Sequence, residues 1–263
     1  MHSKDPTPYP EANTIVRELV TGIIAILGAR ITGIYLDGSL ATGDFDMASD
    51  IDFMVITHAE IDEHLFAQLK EMHAHIASGS SPWAIQIEGS YISKQAIRRF
   101  DPQHSMHPNI ERGSAEALKM QHHDAAWVIH RYVLRELGIV LQGPAPRDLI
   151  DMVSPDDLRT AMHEILSGWA SSILNNPTLI NSDGYQSYVV LSLCRILYTL
   201  EHGTVVSKRQ AMAWALDTLG EEWRALVTLA WVVRAHGGMG SMANYLSQTL
   251  DFVRYVLRKN GSY

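Results

Sequence analysis

The spacing of apolar residues divides the chain into two parts. Up to about residue 110 it predicts a helix, a strand, a turn, a second strand, a second helix and a third strand. The helical patterns cover residues 10–28 and 61–77, and the strand patterns cover residues 31–38, 51–57 and 84–92. This order is typical of a mixed sheet packed against helices.

Beyond residue 110 the strand signal fades and helical spacing dominates. One short strand is predicted within residues 138–146, before a proline-rich link. Ser154, followed closely by two aspartates, is a typical start of a helix. From there on the pattern is almost entirely helical.

The two patterns predict an α+β fold with two domains. Residues 1–153 form a mixed β-sheet domain with helices, and residues 154–263 form an α-helical bundle domain. A chain of 263 residues is long enough for both.

Composition narrows the classes of partner. The chain has 29 acidic and 21 basic residues and a formal net charge of -8, which argues against broad binding of nucleic acid. The same balance suits a cationic small molecule better. The single cysteine, Cys194, excludes an intramolecular disulfide, and its apolar surroundings predict a buried, inert thiol.

No segment predicts a leader or a membrane anchor. The first 13 residues contain prolines and charges but no apolar stretch, and no later segment approaches the roughly 20 uninterrupted apolar residues of a membrane span. A cytoplasmic protein is therefore expected. Pairs of histidines lack the spacing and neighbours of a zinc site. The glycine-rich residues 236–241 are interpreted as a flexible connection between helices.

An acidic pair stands at the start of the second predicted strand, in the sequence GSLATGDFDMASDID. Residues two apart on a strand project from the same face, so Asp50 and Asp52 should point together while Ile51 and Phe53 pack in the core. Two carboxylates on one face repel each other unless a proton or a cation lies between them. Mg²⁺, which prefers oxygen ligands, is the cation that we expect.

The third predicted strand repeats this pattern. In AIQIEGSYI, Gln86, Glu88 and Ser90 share one face, and Ile85 and Ile87 share the other. Glu88 is a candidate third metal ligand or a general base that takes a proton from an attacking hydroxyl.

The turn before the acidic pair adds a candidate phosphate site. Gly38 has no side chain, so a phosphate could approach its backbone, and Ser39 offers a hydroxyl and an amide N–H. Together with the metal, these residues describe a site for a nucleoside triphosphate.

Gly38, Ser39, Asp50 and Asp52 follow a pattern that resembles the nucleotidyltransferase superfamily. In the second part, LSLCRILYTLEHGTVVSKRQAMAWAL resembles the C-terminal domain of the bacterial aminoglycoside (3'')(9) adenylyltransferases. The segments LGIVLQGPAPRDL and SPDDLRTAMHEILSGW also run parallel to that family, so the resemblance covers nearly the whole chain.

The resemblance implies transfer of AMP from ATP to a hydroxyl of streptomycin or spectinomycin, with release of pyrophosphate, and hence antibiotic resistance. It implies that Asp50 and Asp52 hold Mg²⁺ and that Glu88 is the catalytic base. Contacts to the triphosphate fall on Arg195 and Lys208 of the helical domain, which would bind substrate and close on the nucleotide. Without the resemblance, Arg195 could equally be a core arginine.

Candidate contacts to the acceptor are Trp169 and Asp183. The resemblance places a substrate-binding tryptophan at Trp169, although a tryptophan on an amphipathic helix is also a common core residue. Asp183 could bind a cationic amine or be a plain surface residue. The sequence NIERGSA, residues 109–115, has no tryptophan where the family has an aromatic contact, so the acceptor stays open.

Three functions remain to be compared. The first is an adenylyltransferase that acts as a monomer on a cationic amino sugar or aminocyclitol. The second keeps the chemistry but modifies a protein partner, as in toxin–antitoxin systems, or another small hydroxyl compound; the full helical domain argues against the protein partner. The third is a nucleotide-binding sensor without catalysis, against which the presence of Glu88 argues.

Overall fold

The computed structural model describes residues 5–112, 118–124, 127–236 and 241–261. The chain forms two compact units. One contains Met1–Phe45 and Ser49–Met152, and the other contains Val153–Tyr263 together with the short segment Asp46–Ala48. Within the second unit, Asp46 accepts two hydrogen bonds from the Arg234 guanidinium, at 2.7 and 3.2 Å.

The first unit contains six strands and five helices within the described ranges. The strands are β1 (Ile31–Leu36), β2 (Ile51–Thr57), β3 (Ile87–Ser93), β4 (Met106–Ile110), β5 (Leu118–His122) and β6 (Ile139–Gln142). The helices are α1 (Pro10–Leu27), α2 (Gly38–Ala41), α3 (Glu63–Ala77), α4 (Lys94–Arg98) and α5 (Val128–Leu137).

The six strands form one mixed sheet in the order β5-β4-β3-β2-β1-β6. Only β2 and β3 run parallel; the other neighbouring strands are antiparallel. A mixed sheet with helices, followed by a helical unit, confirms the predicted α+β class.

Two details of the strand prediction were wrong. The third strand begins at Ile87 rather than residue 84, because Pro82–Ile85 form a 3₁₀-helix and Ile85 is 44% exposed. Strands also continue beyond residue 110, where β5 pairs with β4 along its whole length.

The two faces of the sheet carry separate hydrophobic clusters. One cluster joins α1 and α3 to the face that bears Ile51 and Phe53, both buried as predicted. The other joins Met54 and Ile92 to Leu134 of α5. The second face is also the face of Asp52 and Glu88, because side chains alternate along a strand.

Helix α1 belongs to the core of its unit. Among the described residues one segment, Pro10–Arg30, is long and apolar enough to cross a membrane by length and composition. In the structure Ala12, Leu19 and Ile23 of this helix are almost completely buried in the first hydrophobic cluster. A stripe buried in this way is the pattern of a core helix.

The helical unit is organised around one long central helix. Its helices are α6 (Pro155–Ile165), α7 (Ser171–Asn175), α8 (Asp183–His202), α9 (Lys208–Thr218), α10 (Glu221–Ala235) and α11 (Leu246–Lys259). Helix α8 packs against α6, α9, α10 and α11. A single π-helical turn, Leu166–Ala170, joins α6 to α7. The glycine-rich residues 236–241 were interpreted as a flexible connection between helices. Most of them, residues 237–240, lie outside the described residues, so this interpretation stays a prediction.

Two local predictions in this unit are confirmed. Ser154 starts α6 with a capping box, in which its side chain and that of Asp157 each bond to the other residue's backbone N–H. Cys194 is fully buried, and burial raises the pKa of its thiol to about 12, so the thiolate required for reaction is not formed at neutral pH.

Candidate active site

The parallel pairing of β2 and β3 brings two carboxylates together. In the register of these strands Asp52 lies directly beside Glu88, and both side chains project from the same face of the sheet. Asp50 lies one residue before β2 begins, so it belongs to the loop rather than to the strand. The sequence could predict the Asp52–Glu88 neighbourhood only by assuming this pairing.

Asp52 is the electrostatic centre of the site. Burial raises its carboxyl pKa well above the usual 3.8, and the negative charges of Glu88, Asp37 and Asp50 raise it further. A hydrogen bond from the backbone N–H of Ser39 acts in the opposite direction. Asp37, which is only 6% exposed, is a member of this acidic group that the sequence analysis missed.

The backbone of Gly38 packs directly against Asp52. Gly38 has φ +56°, in the left-handed region, and a Cβ atom at this position would overlap the Asp52 carboxylate. The backbone N–H of Asp37 also donates to the Asp52 carbonyl oxygen at 3.0 Å. The turn before the acidic pair therefore contacts Asp52 directly, and this contact requires glycine at position 38.

Ser39 contributes two different groups. Its N–H, which the sequence analysis expected to face a phosphate, is used by Asp52. Its hydroxyl oxygen is buried and has no hydrogen-bond partner among the described residues. A buried hydroxyl without a hydrogen-bond partner lowers the stability of the fold unless a ligand bonds to it. The Ser39 hydroxyl is therefore the group that remains for a phosphate or another polar ligand.

Arg112 is a second residue that the sequence analysis missed. Its Nη1 lies 2.7 Å from Asp50 Oδ1. Burial lowers the pKa of this guanidinium, but Asp50, Glu88 and Asp52 outweigh that effect and raise it. Arg112 therefore provides a positive charge at the acidic group. It lies in NIERGSA, of which residues 113–115 are outside the described residues.

The carboxylates around Asp52 are the candidate ligands for Mg²⁺. Over the described ranges, no three His, Cys, Asp or Glu side chains are gathered in an arrangement that could hold a metal ion. The chemistry nevertheless fits, because three neighbouring carboxylates raise the pKa of Asp52 and a divalent cation would offset their repulsion. Mg²⁺ is usually held by one or two carboxylates, with waters and phosphates completing its shell.

The predicted triphosphate residues of the helical unit are held by its own helices. Arg195, on α8, donates from Nε to the Val206 carbonyl at 3.1 Å. Lys208 is the first residue of α9, directly after the capping serine Ser207, and its Nζ lies 5.5 Å from the centre of the Tyr188 ring. Both cations are partly buried.

Trp169 lies in the π-helical turn and forms an aromatic patch with two tyrosines. Its Nε1 donates to the Tyr185 hydroxyl at 3.1 Å, and its ring meets the edge of Tyr188. Tyr185 and Tyr188 stack with ring centres 5.6 Å apart, and Tyr188 is 47% exposed. Aromatic faces of this kind attract cationic ligands. The three-residue spacing of the two tyrosines on a helix was the signal available in the sequence.

Asp183 is not part of this patch. It lies in the first turn of α8, and its Oδ1 accepts a hydrogen bond from the Met242 backbone N–H at 2.7 Å. This contact fixes the segment before α11, so Asp183 has a structural contact whether or not it also binds an amine.

Two family models match the chain. The model described as "Nucleotidyltransferase domain" matches residues 16–91, and the model described as "Aminoglycoside adenylyltransferase, C-terminal domain" matches residues 148–259. The first range contains the turn at Gly38 and the pair Asp52–Glu88, and the second contains Arg195 and Lys208.

Similar proteins match over most of their length. An aminoglycoside (3'')(9) adenylyltransferase from Escherichia coli is 27% identical over 259 residues, 94% of each chain. A spectinomycin 9-adenylyltransferase from Campylobacter jejuni is 28% identical over 222 residues, 82% of each chain.

A solved structure shares the fold. It is the crystal structure of a spectinomycin adenyltransferase from Enterococcus faecialis with ATP and spectinomycin. The TM-score is 0.73 at 15% identity, over 93% of this chain and 98% of that one.

Proposed function

The chain belongs to the aminoglycoside (3'')(9) adenylyltransferase family of nucleotidyltransferases, and we propose that it transfers AMP from ATP to a hydroxyl of an aminoglycoside-type antibiotic. Streptomycin and spectinomycin are the proposed acceptors, and pyrophosphate is the second product. The observation that supports this chemistry is the placement of Glu88 beside Asp52, against the Gly38 turn.

Glu88 is proposed as the general base. Its carboxylate takes the proton of the acceptor hydroxyl while the hydroxyl oxygen forms a bond to the α-phosphorus of ATP. The bond from that phosphorus to the bridging oxygen breaks, and the electron pair leaves with pyrophosphate. The proton stays on Glu88 until solvent accepts it.

Asp50 and Asp52 are proposed to hold Mg²⁺. When bound, the ion would screen charge on the phosphates. Release of Arg112 from Asp50 would free both oxygens of that carboxylate for the ion. Glu88 as a third ligand is the alternative to its role as a base, and the experiment below separates the two.

The remaining residues are proposed to bind the substrates. The Gly38 backbone and the Ser39 hydroxyl would contact the triphosphate, and Arg195 and Lys208 would add positive charge to it. In the helical unit, residues 154–263, the aromatic patch around Trp169 would receive the acceptor. Asp183 would meet a cationic amine, at the expense of its contact with Met242. The protein is proposed to act as a monomer in the cytoplasm, where ATP is available.

The test is the rate of pyrophosphate release with ATP, Mg²⁺ and each drug. Glu88→Gln should lower kcat by about 10²- to 10⁴-fold with little change in affinity for Mg²⁺ and ATP, because only proton transfer is lost. Glu63→Gln, at an exposed helix position, is the matched control and should keep the wild-type rate.

Two outcomes would contradict this account. A Glu88→Gln variant that keeps kcat within threefold of wild type would exclude Glu88 as the base. A variant that loses Mg²⁺ binding as completely as Asp52→Asn would instead make Glu88 a metal ligand.

A further inference from the structure

A buried polar network lies on the same sheet face as Glu88. It consists of Arg131 on α5, His123, His107 on β4 and Ser90 on β3, and is called here the histidine relay. All four residues are at most 3% exposed. None of the four belongs to the proposed metal, nucleotide or acceptor sites.

Arg131 fixes the direction of the relay. Its Nε donates to the Ile97 carbonyl at 3.0 Å, and its Nη2 donates to the Ala96 carbonyl at 2.9 Å. The same Nη2 lies 3.2 Å from His123 Nε2. A guanidinium has no acceptor, so His123 Nε2 must be the accepting nitrogen.

The hydrogens of both imidazoles follow from that contact. Burial, with the charge of Arg131 adding to it, lowers the pKa of His123 to about 4, so the ring is neutral at pH 7. Its single hydrogen is therefore on Nδ1, which lies 3.1 Å from His107 Nδ1. Burial, and next His123, lower the pKa of His107 to about 3, while a hydrogen bond with the Ser105 backbone acts in the opposite direction. His107 accepts at Nδ1 and consequently carries its own hydrogen on Nε2.

Ser90 accepts the last hydrogen bond of the relay. His107 Nε2 lies 3.2 Å from Ser90 Oγ and, given its hydrogen, donates to it. The Asn109 side-chain amide donates to the same oxygen at 2.8 Å. Both lone pairs of the hydroxyl are then in use, so Ser90 can only donate its own hydrogen, and that hydrogen points away from β4.

The sheet register limits where this hydrogen can go. Beside Ser90 on β2 stands Met54, whose thioether is a weak acceptor. Glu88, two residues before Ser90 on β3, presents a carboxylate on the same face of the sheet. Ser90 is 2% exposed, so bulk water does not compete for the hydrogen.

We propose that the histidine relay makes Ser90 and His107 positioning residues for Glu88. The Ser90 hydroxyl donates to one oxygen of the Glu88 carboxylate when the substrates are bound, and thereby holds the other oxygen toward the acceptor hydroxyl. Arg131 and His123 act by preventing the opposite tautomer of His107, in which Ser90 would donate backwards. This inference rests on the proposed role of Glu88 as a base.

The first test needs no activity. Long-range ¹H–¹⁵N NMR spectra of the full-length protein at pH 7 report which ring nitrogen carries the hydrogen, and His107→Gln identifies the His107 signals. We expect hydrogen on Nε2 of His107 and on Nδ1 of His123. Hydrogen on Nδ1 of His107 would overturn the proposal, because Ser90 would then donate to the histidine.

The second test uses a matched pair of variants. His107→Gln keeps an N–H donor near the position of Nε2, whereas His107→Leu removes it. We expect His107→Leu and Ser90→Ala to lower kcat about 10- to 100-fold with little change in the KM for ATP, as expected when a reacting group is misplaced. His107→Gln should stay within about threefold of wild type.

The double variant Ser90→Ala/His107→Leu separates positioning from loss of structure. If His107 acts through Ser90, the double variant is no slower than Ser90→Ala alone. A double variant whose fold-loss in kcat is the product of the two single losses would overturn the proposal. Equal losses of kcat in His107→Gln and His107→Leu would overturn it too. If His107→Leu does not fold, Ser90→Ala still tests the proposal, because it removes only one oxygen atom and should leave the fold intact. A wild-type enzyme that modifies neither drug would contradict the proposed function, and the tautomers would still decide the direction of the relay.

Discussion

A single missing side chain determines the geometry at Asp52. Gly38 brings its backbone so close to the Asp52 carboxylate that a methyl group would not fit, while the Ser39 N–H donates to that carboxylate. The carboxylate is thus fixed by the chain itself before any ligand arrives, which is how a site avoids reorganisation during the reaction.

Gly38→Ala tests this contact. Two effects should combine, namely strain at a positive φ, about 1–3 kcal/mol in the free energy of unfolding, and displacement of Asp52. Gly43→Ala is the matched control, because Gly43 has φ +76° but nothing within 4 Å of its would-be Cβ. Both variants should lose stability in urea unfolding, but only Gly38→Ala should lose Mg²⁺-dependent activity. Equal activities would show that the close contact does not matter.

Asp52 should make the metal-free protein less stable at neutral pH. Its carboxyl pKa is higher in the folded state than the usual 3.8, so folding favours the protonated form. This contribution is fully present below about pH 4 and is lost as pH rises through the folded-state pKa. In EDTA, Asp52→Asn should therefore have a higher Tm than wild type at pH 7, and the difference should shrink toward pH 4. A lower Tm at pH 7 would contradict the charge repulsion.

The residues found from the sequence share one property: each lies in a local pattern. Asp50 and Asp52 follow Gly38 and Ser39 at short range, and Glu88 interrupts an apolar alternation. Arg112 and the histidine relay could not be predicted, because their hydrogen-bond partners lie between 8 and 62 residues away in the chain. Such pairings arise only when strands and helices pack.

At the scale of elements, helix starts were easier to predict than strands. The starts of α6 and α9 are each marked in the sequence by a capping serine with an acidic or amide residue three positions later. Strand β4, MHPNI, contains a proline and no alternation, and β5 lies at the sheet edge with an exposed surface. Neither carries a pattern of its own, so the sequence analysis missed both.

The cap of α9 should affect nucleotide binding as well as stability. Ser207→Ala removes the cap directly before Lys208, and Ser154→Ala removes an equivalent cap from α6. Each should cost about 1 kcal/mol in the free energy of unfolding. Only Ser207→Ala should raise the KM for ATP, because Lys208 beside this cap is proposed to contact the triphosphate and no residue of α6 is. An equal KM for the two variants would argue against that role of Lys208.

For the whole molecule, the two units carry different parts of the proposed reaction. The sheet unit holds the acidic group and the candidate base, and the helical unit holds the cations and the aromatic patch. The net charge of -8 favours a cationic acceptor at long range but does not select one. In the proposed reaction, the choice between streptomycin and spectinomycin would depend on contacts of the acceptor with the aromatic patch, and composition does not reveal such contacts.

The most direct measurement is the mass of each drug after incubation with the purified protein, ATP and Mg²⁺. We predict a product that carries one added AMP on streptomycin or spectinomycin, and none with the Asp50→Asn variant. An unmodified mass for both drugs, from a protein that still binds ATP and Mg²⁺, would contradict the proposed transfer to these antibiotics.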